Sequence, residues 1–496
     1  MTRTIALIAA LLFAVSCTTT TPTASDPDAQ RIDRFVQRTL AEFPEVPSLG
    51  LAVVRDGRTI LTRGYGMRDR ERQLPADAET VYYIASSTKS YVGLLASILA
   101  ARGVVDLDAP IERYLPEVRF ENRTVTLRTL LTHTAGIRND GIVMRTAFTG
   151  EHTQAELLEL LGRSETRDAT FTYDNIGYVA AGLVLERVTG KTWQELLASE
   201  VFAPAGMTRT TAIMSKANAW PLAKPYDLGR DLTVQPIANL KNDRTMHAAG
   251  GIVTTPRDLA RWLEANVNAG RVGGKQVFPA AAFVEAHKQQ VTMPDSNWYR
   301  FRRYGYALGW YHSEYERATL LHHFGGFEGW RAHVSFLPQQ RHGVAAVVNY
   351  GGTGAQVRDL IAAYAYDVLL GKPDVDEAYT THLAKMREGV ETQKQRIRAD
   401  VEQRAQRTSM LSRPPQSYAG AYTNPALGTL RLRVEGETLR VSLGPLDAEL
   451  EPFTEPESAR AELIPGTGEV LRFVFEGNGD RAAALRYHNL LFARVE

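Results

Sequence analysis

The chain has 496 residues, 44% hydrophobic and 23% charged, a composition that excludes a disordered or fibrous protein and exceeds what one hydrophobic core usually holds. Lysine and arginine (57) nearly cancel aspartate and glutamate (56), so the strong basic excess of a nucleic-acid binder is absent.

In chain order, the opening "MTRTIALIAALLFAVSC" has a positive start at Arg3 and an apolar run from Ile5 to Val15, too short to span a bilayer as a helix. It reads as a signal peptide over 1–16, and with Ala14 and Ser16 before Cys17 it resembles a bacterial lipoprotein signal. That resemblance implies a lipidated Cys17, a membrane attachment through the lipid only, and, with Thr18 next, an outer-membrane anchor facing the periplasm. A plain secretory signal followed by an incidental cysteine is the alternative. Cys17 is the only cysteine, as suits an oxidising compartment. Residues 17–29 read as a polar tether.

Ile32 to Phe43 has helical spacing. Leu49 to Gly66 alternates around Asp56-Gly57 and predicts a hairpin. Helices are expected over Ser86–Arg102, ending at Gly103, over Thr126–Gly136 with Thr126 as cap, and over Asn175–Gly190. Strand-like runs return at Leu320–Phe324, Trp330–Phe336 and Gly343–Tyr350. Sheet elements at both ends with helices between imply one sheet whose strands come from both ends, with a helical lobe inserted. Asp374 to Arg407 reads as a charged helix within a linker over 373–412. From 413 on, alternation at Leu430, Leu432, Val434 and at Leu439, Val441, Leu443 predicts a small all-β sandwich or barrel.

The chemistry-bearing stretch is "YYIASSTKSYVG". At helical spacing Ser86 and Lys89 share a face, and a desolvated lysine is able to deprotonate a serine that is otherwise a poor nucleophile. Alone, S-x-x-K arises by chance in a chain this long, and a serine there serves equally as a helix cap. Further on stand Tyr173-Asp174-Asn175 and His323-Phe324-Gly325-Gly326. S-x-x-K, Y-x-N and H-x-G-G in this order, with "LLTHTAGI", "GGIVTTPRDLARW", "YGYALGW" and "HFGGFEGW", resemble the class C β-lactamase-like branch of the penicillin-binding serine hydrolases, over roughly Ile32 to Leu370.

The resemblance implies a β-lactamase-like α/β fold over 30–372, in which a mixed or antiparallel sheet is flanked by helices. It also implies that Ser86 is acylated, that Lys89 helps deprotonate it, and that Tyr173 shuttles the proton towards the leaving group. Asn175 would orient Lys89 and bind the substrate amide. His323 would face the nucleophile where many relatives carry lysine. The backbone N–H groups of Ser86 and Gly326 would form the oxyanion hole, with Gly325, Phe324 and Arg331 beside the substrate. No cofactor or metal is implied; His322-His323 lacks a third ligand at useful spacing.

Bland readings stand beside these. Tyr173 suits a core, Asn175 suits an N-cap, His133 suits a structural role, and Arg331 suits either a substrate carboxylate or the surface. Phe324 stands where a small hydroxyl residue is common, and histidine carries charge less reliably than lysine. Both departures disfavour carboxylate-bearing β-lactams and fit a peptidase, amidase or esterase acting on a small-molecule or peptide substrate, including D-amino acid substrates. A β-lactamase, and a penicillin-binding sensor without turnover, are the alternatives. The C-terminal segment from Ser417 resembles the lipocalin-like β domain appended to such hydrolases.

Overall fold

A computed structural model describes residues 26–477 and 479–495. The expected signal segment 1–16 and Cys17 lie outside them. Asp26 caps helix α1 (Pro27–Glu42), accepting from the backbone N–H groups of Asp28 and Ala29 at 3.0 and 3.1 Å. Residues 27–29 are therefore helical and do not belong to a tether, because the Asp26-Pro27 pair is a helix start.

Strands β1 (Ser48–Arg55) and β2 (Arg58–Asp69) form the expected hairpin, with Asp56 and Gly57 both at positive φ (51° and 77°), as a two-residue turn of this hand requires. β3 (Leu74–Pro75) follows at the edge. The helical lobe carries α2 (Thr88–Ala101), α3 (Leu127–Leu131) and α4 (Ile176–Thr189). Thr126 caps α3 in a capping box with Thr129. Helix α5 (Pro256–Val267) leads back to the sheet. The chain then lays down β4 (Val291–Trp298), β5 (Phe301–Tyr306), β6 (Tyr311–Tyr315), β7 (Ala318–Phe327), β8 (Trp330–Leu337) and β9 (His342–Val348). The nine strands run in the order β4-β5-β6-β7-β8-β9-β1-β2-β3, and their pairings are antiparallel. β1 and β9 close the two chain regions into one sheet, Leu51 facing Ala346.

Strands β1 and β9 are apolar on both faces, as burial on both sides demands. Leu49, Leu51 and Val53, with Val344, Ala346 and Val348, join the core under α1 and helix α6 (Gly354–Leu369). Ala52 and Val54, with Ala345 and Val347, join the core shared with α5 and the lobe. Helix α7 (Val375–Ala405) buries only Val375, Tyr379, Leu383 and Val390, and near its far end Arg404 Nη1 lies 3.5 Å from Glu462 Oε1 of the C-terminal segment. The C-terminal strands close into an eight-stranded barrel between Gly420 and Arg494, which settles the sandwich-or-barrel choice. The barrel docks on the lobe: Met144 joins the barrel core, and Arg145 Nε donates to the Ala426 carbonyl at 2.7 Å. Among the described residues no helix is long and apolar enough to cross a membrane.

Candidate active site

Ser86 does not lie in the first α-helical turn, as the spacing suggested, but in a short 3₁₀ turn (Ala85–Ser87) that feeds α2. Ala85 before it sits at φ 44°, a left-handed conformation that a non-glycine residue holds only when its surroundings impose it. From Val81 to Leu99 every residue is buried except Ser86, which is half-exposed. This segment thus presents one hydroxyl to solvent. Strand β7 is pressed against the chain just before it: a Cβ on Gly325 would fall 1.9 Å from the Ile84 carbonyl oxygen, so only glycine fits. Gly326 is exposed, and a Cβ there would meet only Arg331 Cδ at 3.9 Å. β6 pairs with β7 no further than His322, while β8 pairs with it through Phe327. The edge of β7 from His323 on is therefore not laddered to β6 and runs beside Ser86.

Lys89 is fully buried on α2. Its Nζ lies 3.1 Å from Ser86 Oγ, 2.7 Å from Asn175 Oδ1 and 2.8 Å from the Ala249 carbonyl oxygen. Burial pulls the amine down to about 7, against the opposing pull of Asp174. In the neutral form its two N–H bonds match the two carbonyl acceptors, leaving the lone pair on the side of Ser86 Oγ. Asn175 holds the N-cap position of α4 but makes no capping bond. Asp174 Oδ1 accepts from Gly177 N at 2.9 Å instead. Asn175 thus contacts Lys89, 2.7 Å from Nζ, and leaves the cap to Asp174.

Tyr173 is half-buried beside them with its hydroxyl oxygen enclosed, its ring centroid 4.9 Å from Lys89 Nζ and stacked on Tyr311 at 6.1 Å. Its hydroxyl has no hydrogen-bond partner within normal geometry. Burial drives the phenol far above its ordinary range, with the Ser86 hydroxyl among the groups pulling the other way. Tyr173 is therefore a neutral proton donor and a poor base in the resting site.

His323, expected to carry charge less reliably than lysine, is held neutral. The ring is wholly buried, and burial first, then Lys89, holds it well below its ordinary range. Its Nδ1 lies 2.7 Å from the Phe324 carbonyl oxygen, and only an N–H donates there. Nε2 is then the acceptor for Tyr306 Oη at 3.1 Å. Tyr306 in turn accepts from His133 Nε2 at 3.2 Å, and His133 Nδ1 accepts from the Asp174 backbone N–H at 3.3 Å. This chain assigns both tautomers and lets every member stay uncharged. His133 is thus a structural residue, held at φ 60°.

Phe324 stacks on Trp298 (centroids 4.6 Å) with the Arg303 guanidinium 4.8 Å from its ring. Arg331 Nη1 donates to the carbonyls of Phe327 and Trp330 at 2.6 and 2.8 Å, so that nitrogen braces the β7–β8 turn. His322 bonds Arg303 Nε through its Nε2 at 3.1 Å, while its neighbour bonds Tyr306, as successive residues on a strand point to opposite faces. Among the described residues no group of three or more His, Cys, Asp or Glu could hold a metal ion. The Ala249 carbonyl and Tyr306 escaped the sequence reading as site residues. Both lie in or beside phrases that carry the resemblance, but a main-chain acceptor has no side-chain signature.

Residues 36–367 match the family model Beta-lactamase. Protein flp of Staphylococcus aureus (strain N315) is 25% identical over 335 residues, covering 64% of this chain and 63% of that protein, so the chain spans about 63% of the length of those relatives. Unguisins hydrolase ungD' of Aspergillus campestris is 24% identical over 442 residues, covering 83% of this chain and 79% of that one. Among solved structures, the octameric penicillin-binding protein homologue from Pyrococcus abyssi superposes with a TM-score of 0.61 at 20% identity, over 94% of this chain and 100% of that one. The D-amino acid amidase from Ochrobactrum anthropi SV3, complexed with D-phenylalanine, does so at 0.58 and 21%, over 69% of this chain and 100% of that one.

Proposed function

This chain belongs to the Beta-lactamase family, and on that premise we propose that it is a serine hydrolase cleaving amide or ester substrates, D-amino acid derivatives included, through an acyl-enzyme on Ser86. One observation carries the reading: a buried lysine with an amine near 7 lies 3.1 Å from the one solvent-facing hydroxyl of its segment. Lys89, neutral, takes the Ser86 proton as Oγ attacks the substrate carbonyl carbon. The negative charge that develops on the carbonyl oxygen is received by the Ser86 and Gly326 N–H groups. Collapse breaks the bond to the leaving group, which takes a proton from Tyr173, and Lys89 returns one to Tyr173. Water attacks the ester in the same way, restoring Ser86.

Phe324 and the neutral His323 offer no cation and no small hydroxyl for a substrate carboxylate, which favours amidase, peptidase or esterase chemistry over a β-lactamase. A sensor without turnover is disfavoured by the intact Ser86–Lys89–Tyr173 group. Export and anchoring through a lipidated Cys17 belong to the proposal and rest on residues 1–17 alone. The test is incubation with a fluorophosphonate and a fluorescent β-lactam, followed by mass spectrometry of the Ser86 peptide. Hydrolytic activity without an adduct on Ser86 from either probe would refute the mechanism.

A further inference from the structure

Behind the sheet, on the face opposite Ser86, α6 carries an arginine that reaches the glycine strand. Arg358 is 1% exposed. Its Nη1 donates to the Gly325 carbonyl at 2.7 Å and also to the carbonyl of Ala332, the residue paired with Gly325 across β7 and β8. Among the described residues no carboxylate grips the guanidinium in a bidentate fork. Asp359 Oδ1 is 3.4 Å from Nε, and the closer bonds of that carboxylate go to His333 Nδ1 at 2.8 Å and Trp298 Nε1 at 3.0 Å. The charge is thus directed at main-chain oxygens.

The Gly325 carbonyl and the Gly326 N–H are two ends of one planar amide. A cationic donor on the oxygen withdraws electron density from the nitrogen and makes its N–H the stronger donor. Charge-assisted bonds are about twice as strong as neutral ones, and chained bonds reinforce each other. The same bond fixes the plane of the amide, and with it the direction of the N–H. An arginine buried this deeply is costly to a fold, so net stability does not account for it.

We propose that Arg358 is a positioning residue for acyl transfer, acting through the Gly325–Gly326 peptide to orient and polarise the N–H that receives the oxyanion. It never touches substrate. The inference rests on the reading of Ser86 as nucleophile and of the Gly326 N–H as oxyanion donor.

The experiment compares wild type, Arg358→Met and Arg358→Lys on a p-nitrophenyl ester and on its thiono counterpart, whose sulfur accepts hydrogen bonds weakly. Arg358→Met should lose about tenfold in kcat on the oxygen ester, a fraction of the roughly 10²–10³ that removal of an oxyanion donor costs. The loss on the thiono ester should be much smaller, and KM nearly unmoved. Arg358→Lys, which keeps the charge and one donor, should fall between. Should the Met variant not fold, the Lys variant alone must still lower the oxygen-to-thiono rate ratio. Equal losses on both esters, or an unchanged ratio in every folded variant, would overturn the role. Absence of any acyl adduct on wild-type Ser86 would instead sink the hydrolase reading, so the two failures are distinguishable.

Discussion

Replacing Asn175 with aspartate puts a carboxylate where a neutral amide now meets Lys89 Nζ at 2.7 Å. The lysine stands at about 7 instead of 10.5 because burial disfavours its charge; at 1.36 kcal/mol per unit that is about 5 kcal/mol of destabilised ammonium. A carboxylate at contact distance, at an effective dielectric of about 20, offsets a large part of this, and adjacent opposite charges typically shift such groups by about 1–3 units. With the amine as the proposed base, kcat/KM of the wild type should rise with pH through about 7 and level off above it. In Asn175→Asp the midpoint should climb by about 1–3 units, with a loss of roughly fivefold to five-hundredfold at pH 7 that is largely recovered at high pH. The assay is a pH–kcat/KM profile on a short ester. A profile lowered equally at all pH values, with its midpoint unmoved, would refute the assignment of Lys89 as the base.

Four further outcomes are expected. Tyr173→Phe should reduce amide turnover by about 10²–10⁴ but p-nitrophenyl ester turnover far less, since that leaving group departs unprotonated, and its Tm should not fall because the hydroxyl has no partner to lose. Gly325→Ala drives a methyl into the Ile84 carbonyl and should lower Tm and activity together, with an overpacking cost of about 1–3 kcal/mol. Gly326→Ala has room and should melt like wild type while losing activity; thermal melts and kinetics on both separate fold from site. Lys241, also buried and with an amine near 7, lies over the Phe327 ring at 3.7 Å. Between about 7 and 10.5 the unfolded chain binds the extra proton, so its burial costs most below 7 and the cost fades as pH rises. Lys241→Met should therefore gain more stability, relative to wild type, at pH 6 than at pH 10, read by urea melts at both; an equal difference at the two pH values would contradict the lowered amine.

Where short-range rules apply, the chain is legible. Asp56-Gly57 is a hairpin turn, Thr126 a cap, and the alternation through Leu430 and Leu439 a barrel wall, because two-residue and 3.6-residue periods and caps are local properties. Strands β4 to β6 went unread. β4 is a largely exposed edge strand carrying Pro294, Asp295 and Ser296, so it lacks the apolar alternation that marks a half-buried strand.

The order of motifs from Ser86 to Gly326 determined the family and the groups proposed to react. Tertiary structure alone decided their states. The Lys89 amine is held by a carbonyl at Ala249 and kept near 7 by burial. Asn175 gives up its cap to Asp174. His323, which in sequence looks like a substitute for a cation, is a neutral acceptor at the end of a chain through Tyr306 and His133. Protonation is set by desolvation and by partners folded in from distant parts of the chain, and neither is a property of neighbouring letters.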